Sequence, residues 1–317
     1  MKALICNEFG STKNLTLEEV KSPEPGAGQV LIDVHAAGIN FPDVLTVQGK
    51  YQFKPSLPFT PGIEVSGVIK KVGKDVKMRK VGDEVISTLQ TGAFASEVVT
   101  SENSTFLKGN MSFEQAAGFA LTYGTSYYAL KQRARLVAGE TVLVLGAAGG
   151  VGVATIQLAK AMGANVIAAA SNDTKLDFAE EAGADLRINY TNENLKERVK
   201  ELTNGQGADV IYDPVGGDFS EQAFRAIAWN GRFLVIGFAS GPIAKMPLNL
   251  ALLKGASLVG VFWGSWSARE PNESQNNFSE LIKMVDDKKF IPLVTEIFKL
   301  EDHASGFACI EERRAKG

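Results

Sequence analysis

The chain is poor in the residues that most often build metal sites and covalent staples. It has two cysteines, Cys6 and Cys309, and two histidines, His35 and His303. The cysteines are too few and too far apart to form a disulfide framework or a four-cysteine zinc lobe, and no pair of them has zinc-ligand spacing. There is no basic excess either: 33 Lys and Arg against 36 Asp and Glu give a net charge of −3, so nothing draws the chain to nucleic acid or an anionic membrane. The densest basic run, "KKVGKDVKMRK" at 70–80, is broken by Asp75 and followed by Asp83 and Glu84, which reads as a solvated hairpin. The first residues, "MKALICNEFG", lack the apolar core of a secretory signal, and no apolar run approaches the ~18 residues that a membrane span needs. The expected location is the cytoplasm. No G-x-S-x-G elbow is present, which removes a serine-hydrolase reading.

What is present changes in character near residue 120. Before it, short β-like runs such as 29–39, 67–73, 83–87 and 94–100 alternate with Gly- and Pro-rich turns, the pattern of an irregular β domain. From about 122 the order becomes strand, helix, strand, helix, which calls for crossover connections and a parallel sheet. Six apolar, β-branched strands are expected at 141–146, 165–170, 186–190, 209–213, 232–238 and 257–263. Helices are expected at 151–162, 175–181, 194–202 and 220–229. After Trp263 the reading is a polar loop at 264–277, a helix near 278–286 and a β-like segment near 295–299. The fold class is therefore α/β, with a doubly wound six-stranded parallel domain of the dinucleotide-binding kind beside a β-rich one.

The strand at 141–146 runs straight into "GAAGGVG" at 146–152, and an amphipathic helix follows. Gly149 carries no Cβ to hold a diphosphate off the backbone, and Gly152 lets the helix lie close to the strand. The helix N-terminus supplies free N–H groups and a partial positive charge for an anion. At the end of the next strand, where an NAD site usually has an acid, the sequence is "AAASNDTK". Ser171 stands at the acid's place and Lys175 follows one turn later. A hydroxyl and an ammonium favour a 2′-phosphate, and one charge-assisted hydrogen bond is worth roughly 1.5–3 kcal/mol, or about ten- to hundredfold in preference. Tyr190, closing the third strand, adds a hydroxyl. NADPH is the expected cofactor, provided that Asp173 points away.

With "AAGIN" (36–40), "PGIEVSGVI" (61–69), "GDEV" (82–85), "LTYGTSYYAL" (121–130), "INY" (188–190), "YDPVGG" (212–217) and "VFWG" (261–264), the whole chain resembles the medium-chain dehydrogenase/reductases, and among them the zinc-less quinone oxidoreductase, or zeta-crystallin-like, branch. The resemblance implies a GroES-like catalytic domain of residues 1–121 and 264–317, a Rossmann NADP-binding domain of residues 122–263, and an active site in the cleft between them. It also implies a homodimer joined through the Rossmann sheet edge at 257–263, and a further short β segment beyond the final "RRAKG". Zinc alcohol dehydrogenases of the superfamily carry Cys and His where this chain has Asn40 and Ile63, so no metal ligand set is expected and zinc-held alkoxide chemistry is disfavoured. The implied reaction is hydride transfer from NADPH to a small-molecule quinone or another α,β-unsaturated carbonyl. An enoyl-thioester or acryloyl-CoA-type reductase and a non-catalytic NADPH-binding protein stand as alternatives.

By the same resemblance Gly149, Gly150, Val151, Gly152, Ser171, Lys175 and Tyr190 hold the phosphate side of the cofactor. Pro42, Thr125, Phe238, Ser240, Phe262 and Trp263 line the nicotinamide side. Asn40, Tyr51 and Thr122 are the candidates for catalysis. Tyr51 is read either as a proton donor or as an aromatic that stacks on substrate; the tyrosine that some relatives have five places after the asparagine is Leu45 here. Asn40 is read either as an amide donor facing the cofactor or as a tie between two loops, and Asp43 as a loop or cap residue.

Overall fold

The computed structural model describes residues 1–317, and the chain divides into two compact units. The first comprises Met1–Leu121, Phe278–Lys288 and Pro292–Ala315, and the second Thr122–Asn277, Lys289–Ile291 and Lys316–Gly317. No helix is long and apolar enough to cross a membrane.

In the first unit β1 (Lys2–Ile5) pairs antiparallel with β2 (Thr16–Glu19). A five-stranded antiparallel sheet follows, built from β3 (Gln29–Ala37), β4 (Glu64–Val72), β5 (Glu84–Thr88), β6 (Glu97–Ser101) and β7 (Thr105–Leu107) in the order β6-β3-β4-β5-β7. Alternation along β3 and β4 buries Val30, Ile32, Val65 and Ile69 on one face with Val85 and Val98. Register shifts in β3 between Leu31 and Ile32 and between Val34 and Ala36 bend the strand before it runs into Gly38. Between β3 and β4 lies the short helix α1 (Phe41–Val47), and after β7 comes α2 (Phe113–Ala117). Val44 and Val47 of α1 share a second apolar cluster with Leu4, Phe59, Phe94 and Phe307. Phe307 belongs to the last helix, α11 (His303–Glu311).

The second unit opens with α3 (Ala120–Tyr128), which begins two residues earlier in the first unit, continues as a π-helical turn over Ala129–Ala134 and stops at Arg135 with φ 50°. Then strands and helices alternate: β8 (Thr141–Leu145), α4 (Gly150–Ala161), β9 (Asn165–Ala170), α5 (Asp173–Glu181), β10 (Leu186–Asn189), α6 (Leu195–Leu202), β11 (Ala208–Asp213), α7 (Asp218–Arg225), β12 (Ile227–Val235), α8 (Leu248–Lys254) and β13 (Ser257–Gly260). All neighbouring pairs are parallel, in the order β10-β9-β8-β11-β12-β13. The strand order reverses between β8 and β11, and in such a sheet ligands bind beyond the carboxyl ends of the strands at that point. Val142, Leu143, Val144 and Leu145 are all fully buried, as a strand covered on both faces requires.

Four expectations need correction. The helix expected over 220–229 stops at Arg225, and Trp229 lies in β12, because Ile227 takes up a parallel pairing with Ala208 and tertiary pairing overrides helical spacing. Residues 264–277, expected as a loop of the first domain, are helical as α9 (Trp263–Arg269) and the start of α10 (Pro271–Asp286), with proline at the first helical position, where its missing N–H costs nothing. They fall in the second unit, where Trp266 stacks on Tyr128 at 4.4 Å and Asn277 bonds Lys131 and Gln132. The β-like segment at 295–299 pairs with no strand, and the strand expected to run to Trp263 ends at Gly260.

Candidate active site

In the second unit the chain leaves β8 through Gly146, whose φ of +61° suits a residue without Cβ. Gly149 caps α4 with φ −80° and ψ 165°, and no side chain caps that helix end. The first amides of the helix, from Gly150, Val151 and Gly152, therefore have no acceptor within the helix. A Cβ on Gly152 would stand 2.4 Å from the Gly146 carbonyl oxygen, so the helix approaches the turn as closely as only glycine permits. A Cβ on Gly150 would meet the Thr122 methyl at 3.0 Å, which places Thr122 directly against the helix head. The amide of Gly317 donates to the Ala148 carbonyl at 3.0 Å in the same turn.

A buried hydroxyl network fixes α3, which carries Thr122 and Thr125, onto α4. The Ser126 hydroxyl donates to the Val151 carbonyl at 3.1 Å and lies 3.0 Å from the Tyr212 hydroxyl, while Thr155 donates to Ser126 at 3.0 Å. Burial pushes the Tyr212 phenol up to about 12, so it stays neutral and structural.

Beyond β11, Asp213 organises the "DPVGG" turn. Its carboxylate accepts from the amides of Val215 and Gly216 at 2.8 and 2.9 Å and from the Ser220 hydroxyl at 2.5 Å. Burial still raises its pKa. Phe238 and Ser240 close over this turn: a Cβ on Gly216 would be 3.0 Å from the Phe238 ring and one on Gly217 2.7 Å from the Ser240 hydroxyl. The Ser240 hydroxyl is buried without a hydrogen-bond partner. Val215 in turn lies against Gly146, so the β8, β11 and β12 turns meet at the switch point.

At the end of β9, Asn172 caps α5 by accepting the Lys175 amide at 3.0 Å. The Asp173 carboxylate accepts from the Asn189 side chain at 3.1 Å and is thereby tied to the end of β10. Thr191 donates to the Ser171 carbonyl at 2.8 Å, and Tyr190 packs on Phe219 at 4.3 Å. Ser171, Lys175 and Tyr190 thus share one corner. Phe262 and Trp263 are not brought to the glycine turn. They follow the edge strand β13, three strand spacings or ~15 Å from β8, with Phe262 exposed and Trp263 buried.

In the first unit, Asn40 caps α1. Its amide N–H donates to Asp43 at 2.8 Å, its side-chain Nδ2 donates to Glu64 Oε1 at 2.7 Å, and a longer contact of 3.4 Å reaches the Gly38 carbonyl. Both donors of the carboxamide are therefore engaged inside the unit. Glu64 Oε2 accepts from the Leu121 amide at 2.8 Å. Asp43 and Glu64 are each 1% exposed. Burial pushes Glu64 up to about 7 against the pull of its Asn40, Leu121 and Ala120 donors. Burial raises Asp43 well above the carboxylate range, opposed by the Asn40 N–H and reinforced by the charge of Glu64, and its Oδ1 has no partner. Pro42 sits in the first turn of α1, its carbonyl accepting from Thr46 at 2.8 Å. Tyr51 follows the helix, its amide on the Leu45 carbonyl at 3.2 Å. Burial and then the charge of Asp43 raise its phenol, which keeps it a neutral O–H donor.

Residues 26–143 match the alcohol dehydrogenase GroES-like domain and residues 150–287 the family described as zinc-binding dehydrogenase. A quinone oxidoreductase-like protein 2 homolog of Nematostella vectensis is 42% identical over all of this chain and 87% of its own length. The solved quinone oxidoreductase of Pseudomonas syringae pv. Tomato is 32% identical, with a TM-score of 0.93 over 100% of this chain and 98% of that one. The Escherichia coli quinone oxidoreductase, solved in complex with NADPH, is 29% identical with a TM-score of 0.92 over the same shares. The chain belongs to the quinone oxidoreductase branch of the medium-chain dehydrogenase/reductases.

For a member of this branch, the site holds two acids that the sequence reading passed over. Glu64 lay inside a quoted motif without a role, and Asp43 had only a cap's role, which it does fill. The signal for Glu64 was its place between Ile63 and Val65 on an apolar strand, since an acid there must be partnered. No group of three or more His, Cys, Asp or Glu side chains is gathered closely enough to hold a metal ion.

Proposed function

We propose that this protein is an NADPH-dependent reductase that passes hydride to a quinone or another α,β-unsaturated carbonyl without a metal ion. The observation that carries this reading is the uncapped, glycine-lined head of α4 at the switch point, with a serine and a lysine where an acid would select NADH. A dinucleotide's diphosphate fits there because Gly149 presents no Cβ and no side chain occupies the cap. NADPH, when bound, supplies the hydride from its nicotinamide ring.

Gly149, Gly150, Val151 and Gly152 would hold the diphosphate by main-chain amides. Ser171, Lys175 and Tyr190 would hold the 2′-phosphate, and the bond from Asn189 that draws Asp173 aside supports this assignment, since an acid at that corner would repel the ester. Thr122, Thr125, Phe238, Ser240, Phe262 and Trp263 would line the nicotinamide side, as would Asn40 and Pro42. Tyr51, a neutral phenol, would give a proton to the acceptor oxygen. Asn40 and Ile63 at the places of zinc ligands in metal-dependent relatives support a reaction in which conjugation in the acceptor, rather than a Lewis acid, spreads the developing charge.

A homodimer would form through β13, an edge strand whose surroundings carry exposed Trp229, Leu252, Leu253 and Phe262. Pairing with a second copy would cover both the edge and this apolar patch.

The test is NADPH oxidation followed at 340 nm against a panel of quinones, enones and enoyl thioesters, before and after prolonged chelation. Turnover with quinones or simple enones that survives the chelator is the expected result. Preference for the thioesters would move the protein to the enoyl reductases, cofactor binding without turnover would leave a binding protein, and loss of activity on chelation would overturn the metal-free mechanism.

A further inference from the structure

An acid stands in the corner that the 2′-phosphate would take, and the preference for NADPH depends on where its charge goes. Asp173 opens α5, directly after the Asn172 cap and two residues before Lys175. Its carboxylate accepts from Asn189 Nδ2 at 3.1 Å. The Arg187 guanidinium, bonded to Asp177 at 2.8 Å, also feels the charge of Asp173. Both of these residues belong to β10.

Asn189 is built for this contact. It is buried, and its carboxamide has one orientation open to it. The Thr191 amide donates to Asn189 Oδ1 at 3.2 Å. A main-chain N–H can only donate, so the oxygen end is fixed there and the NH2 end is turned towards Asp173. The main chain of Asn189 is held in turn: its N–H donates to Glu193 Oε1 at 2.7 Å, and its carbonyl accepts from the amides of Asn192 and Glu193 at 3.0 and 2.9 Å. Thr191 ties the same turn to the corner, since its hydroxyl donates to the Ser171 carbonyl at 2.8 Å.

We propose that Asn189 is a positioning residue that sets the coenzyme preference, by holding the Asp173 carboxylate against β10 and away from the 2′-phosphate. The proposal rests on the reading of Ser171, Lys175 and Tyr190 as that ester's site. An acid released from Asn189 would bring its charge within reach of a group that carries nearly two negative charges. At a separation of ~6 Å in water such repulsion weakens binding roughly tenfold. NADH has no ester there and escapes it.

Calorimetric titration of the full chain with NADPH and with NADH tests this in a double-mutant cycle of wild type, Asn189→Leu, Asp173→Asn and the two combined. Leucine keeps the branched shape of asparagine, brings no charge and cannot hold the acid. With Asp173 present, Asn189→Leu should raise the Kd for NADPH about three- to tenfold relative to that for NADH. With Asp173→Asn in place, the same substitution should leave the ratio of the two Kd values within about twofold, because no charge is there to be released. A residue that only braces the turn would shift both coenzymes together, or shift their ratio equally with and without Asp173, and either result overturns the proposal. Should Asn189→Leu fail to fold, Asn189→Asp takes its place, since it keeps an acceptor for the Thr191 amide and repels Asp173; rescue of the NADPH preference by Asp173→Asn is then expected, and its absence overturns the proposal. A wild type that binds both coenzymes alike removes the 2′-phosphate reading and the proposal with it. A wild type that prefers NADPH, with an unaltered ratio in Asn189→Leu, defeats the proposal alone.

Discussion

Gly149 and Gly152 lie three residues apart in one turn, and replacing each by alanine should give opposite results. At Gly149 the backbone is extended, with φ −80° and ψ 165°, and a new Cβ would find its nearest heavy atom at 3.5 Å, an ordinary contact. Gly149→Ala should therefore leave stability unchanged or raise it by ~0.4–1 kcal/mol, because the unfolded chain loses freedom. With the diphosphate held at the helix head as proposed, the added methyl should hold it off the backbone. Losing one charge-assisted hydrogen bond there removes ~1.5–3 kcal/mol and weakens NADPH binding about ten- to hundredfold. At Gly152 the new Cβ would lie 2.4 Å from the Gly146 carbonyl oxygen and 2.8 Å from that of Ala147, both main-chain atoms that cannot swing away. Overpacking of this kind costs ~1–3 kcal/mol, which lowers the melting temperature by ~2–4 °C for each kcal/mol in a domain of this size. Calorimetric titration with NADPH and thermal melts of both variants form the assay. A folded Gly149→Ala that binds NADPH as the wild type does would refute the placement of the phosphates at the head of α4.

Further outcomes follow from the same geometry. Lys175→Glu should raise the Kd for NADPH at least tenfold and leave that for NADH within about threefold; equal losses would show that this corner does not read the 2′-phosphate. Glu64 is raised from its ordinary 4.5 to about 7 in the fold, so the folded state binds its proton more tightly than the unfolded chain. Stability is then highest below about pH 4.5 as far as this group is concerned and declines as pH rises towards 7, by roughly 3 kcal/mol at most. Denaturant titrations at pH 5 and pH 8 should show a smaller pH dependence in Glu64→Gln than in the wild type, and parallel behaviour would deny the shift. Leu252→Asp places a charge on an exposed apolar patch beside β13 and should yield a monomer in sedimentation velocity; an unchanged mass would move the interface elsewhere.

Much of the second unit is legible in the sequence because its signals are local. A strand buried on both faces needs an unbroken apolar run, a helix head facing an anion needs glycines at fixed offsets, and both lie within ten residues in "TVLVLGAAGGVG". The same locality explains the misreadings. Residues 264–277 carry too few apolar positions to show a stripe, and their helices are held by Trp266 on Tyr128 and Asn277 on Lys131, contacts with a segment more than a hundred residues earlier. The helix expected from Ser220 would run on to Trp229, yet Trp229 joins a strand because β11 is there to pair with.

The sequence by itself determined the parallel α/β architecture, the family and the glycine turn, since each is written in residue types at short, fixed spacing. Only the tertiary structure decided that Asn40, Asp43 and Glu64 meet, that both acids lose their water, and that the Asn40 amide is spent on Glu64. An acid's chemistry depends on the solvent and charges around it, and for Glu64 these come from α1, from Gly38 and from Leu121, 57 residues further along the chain.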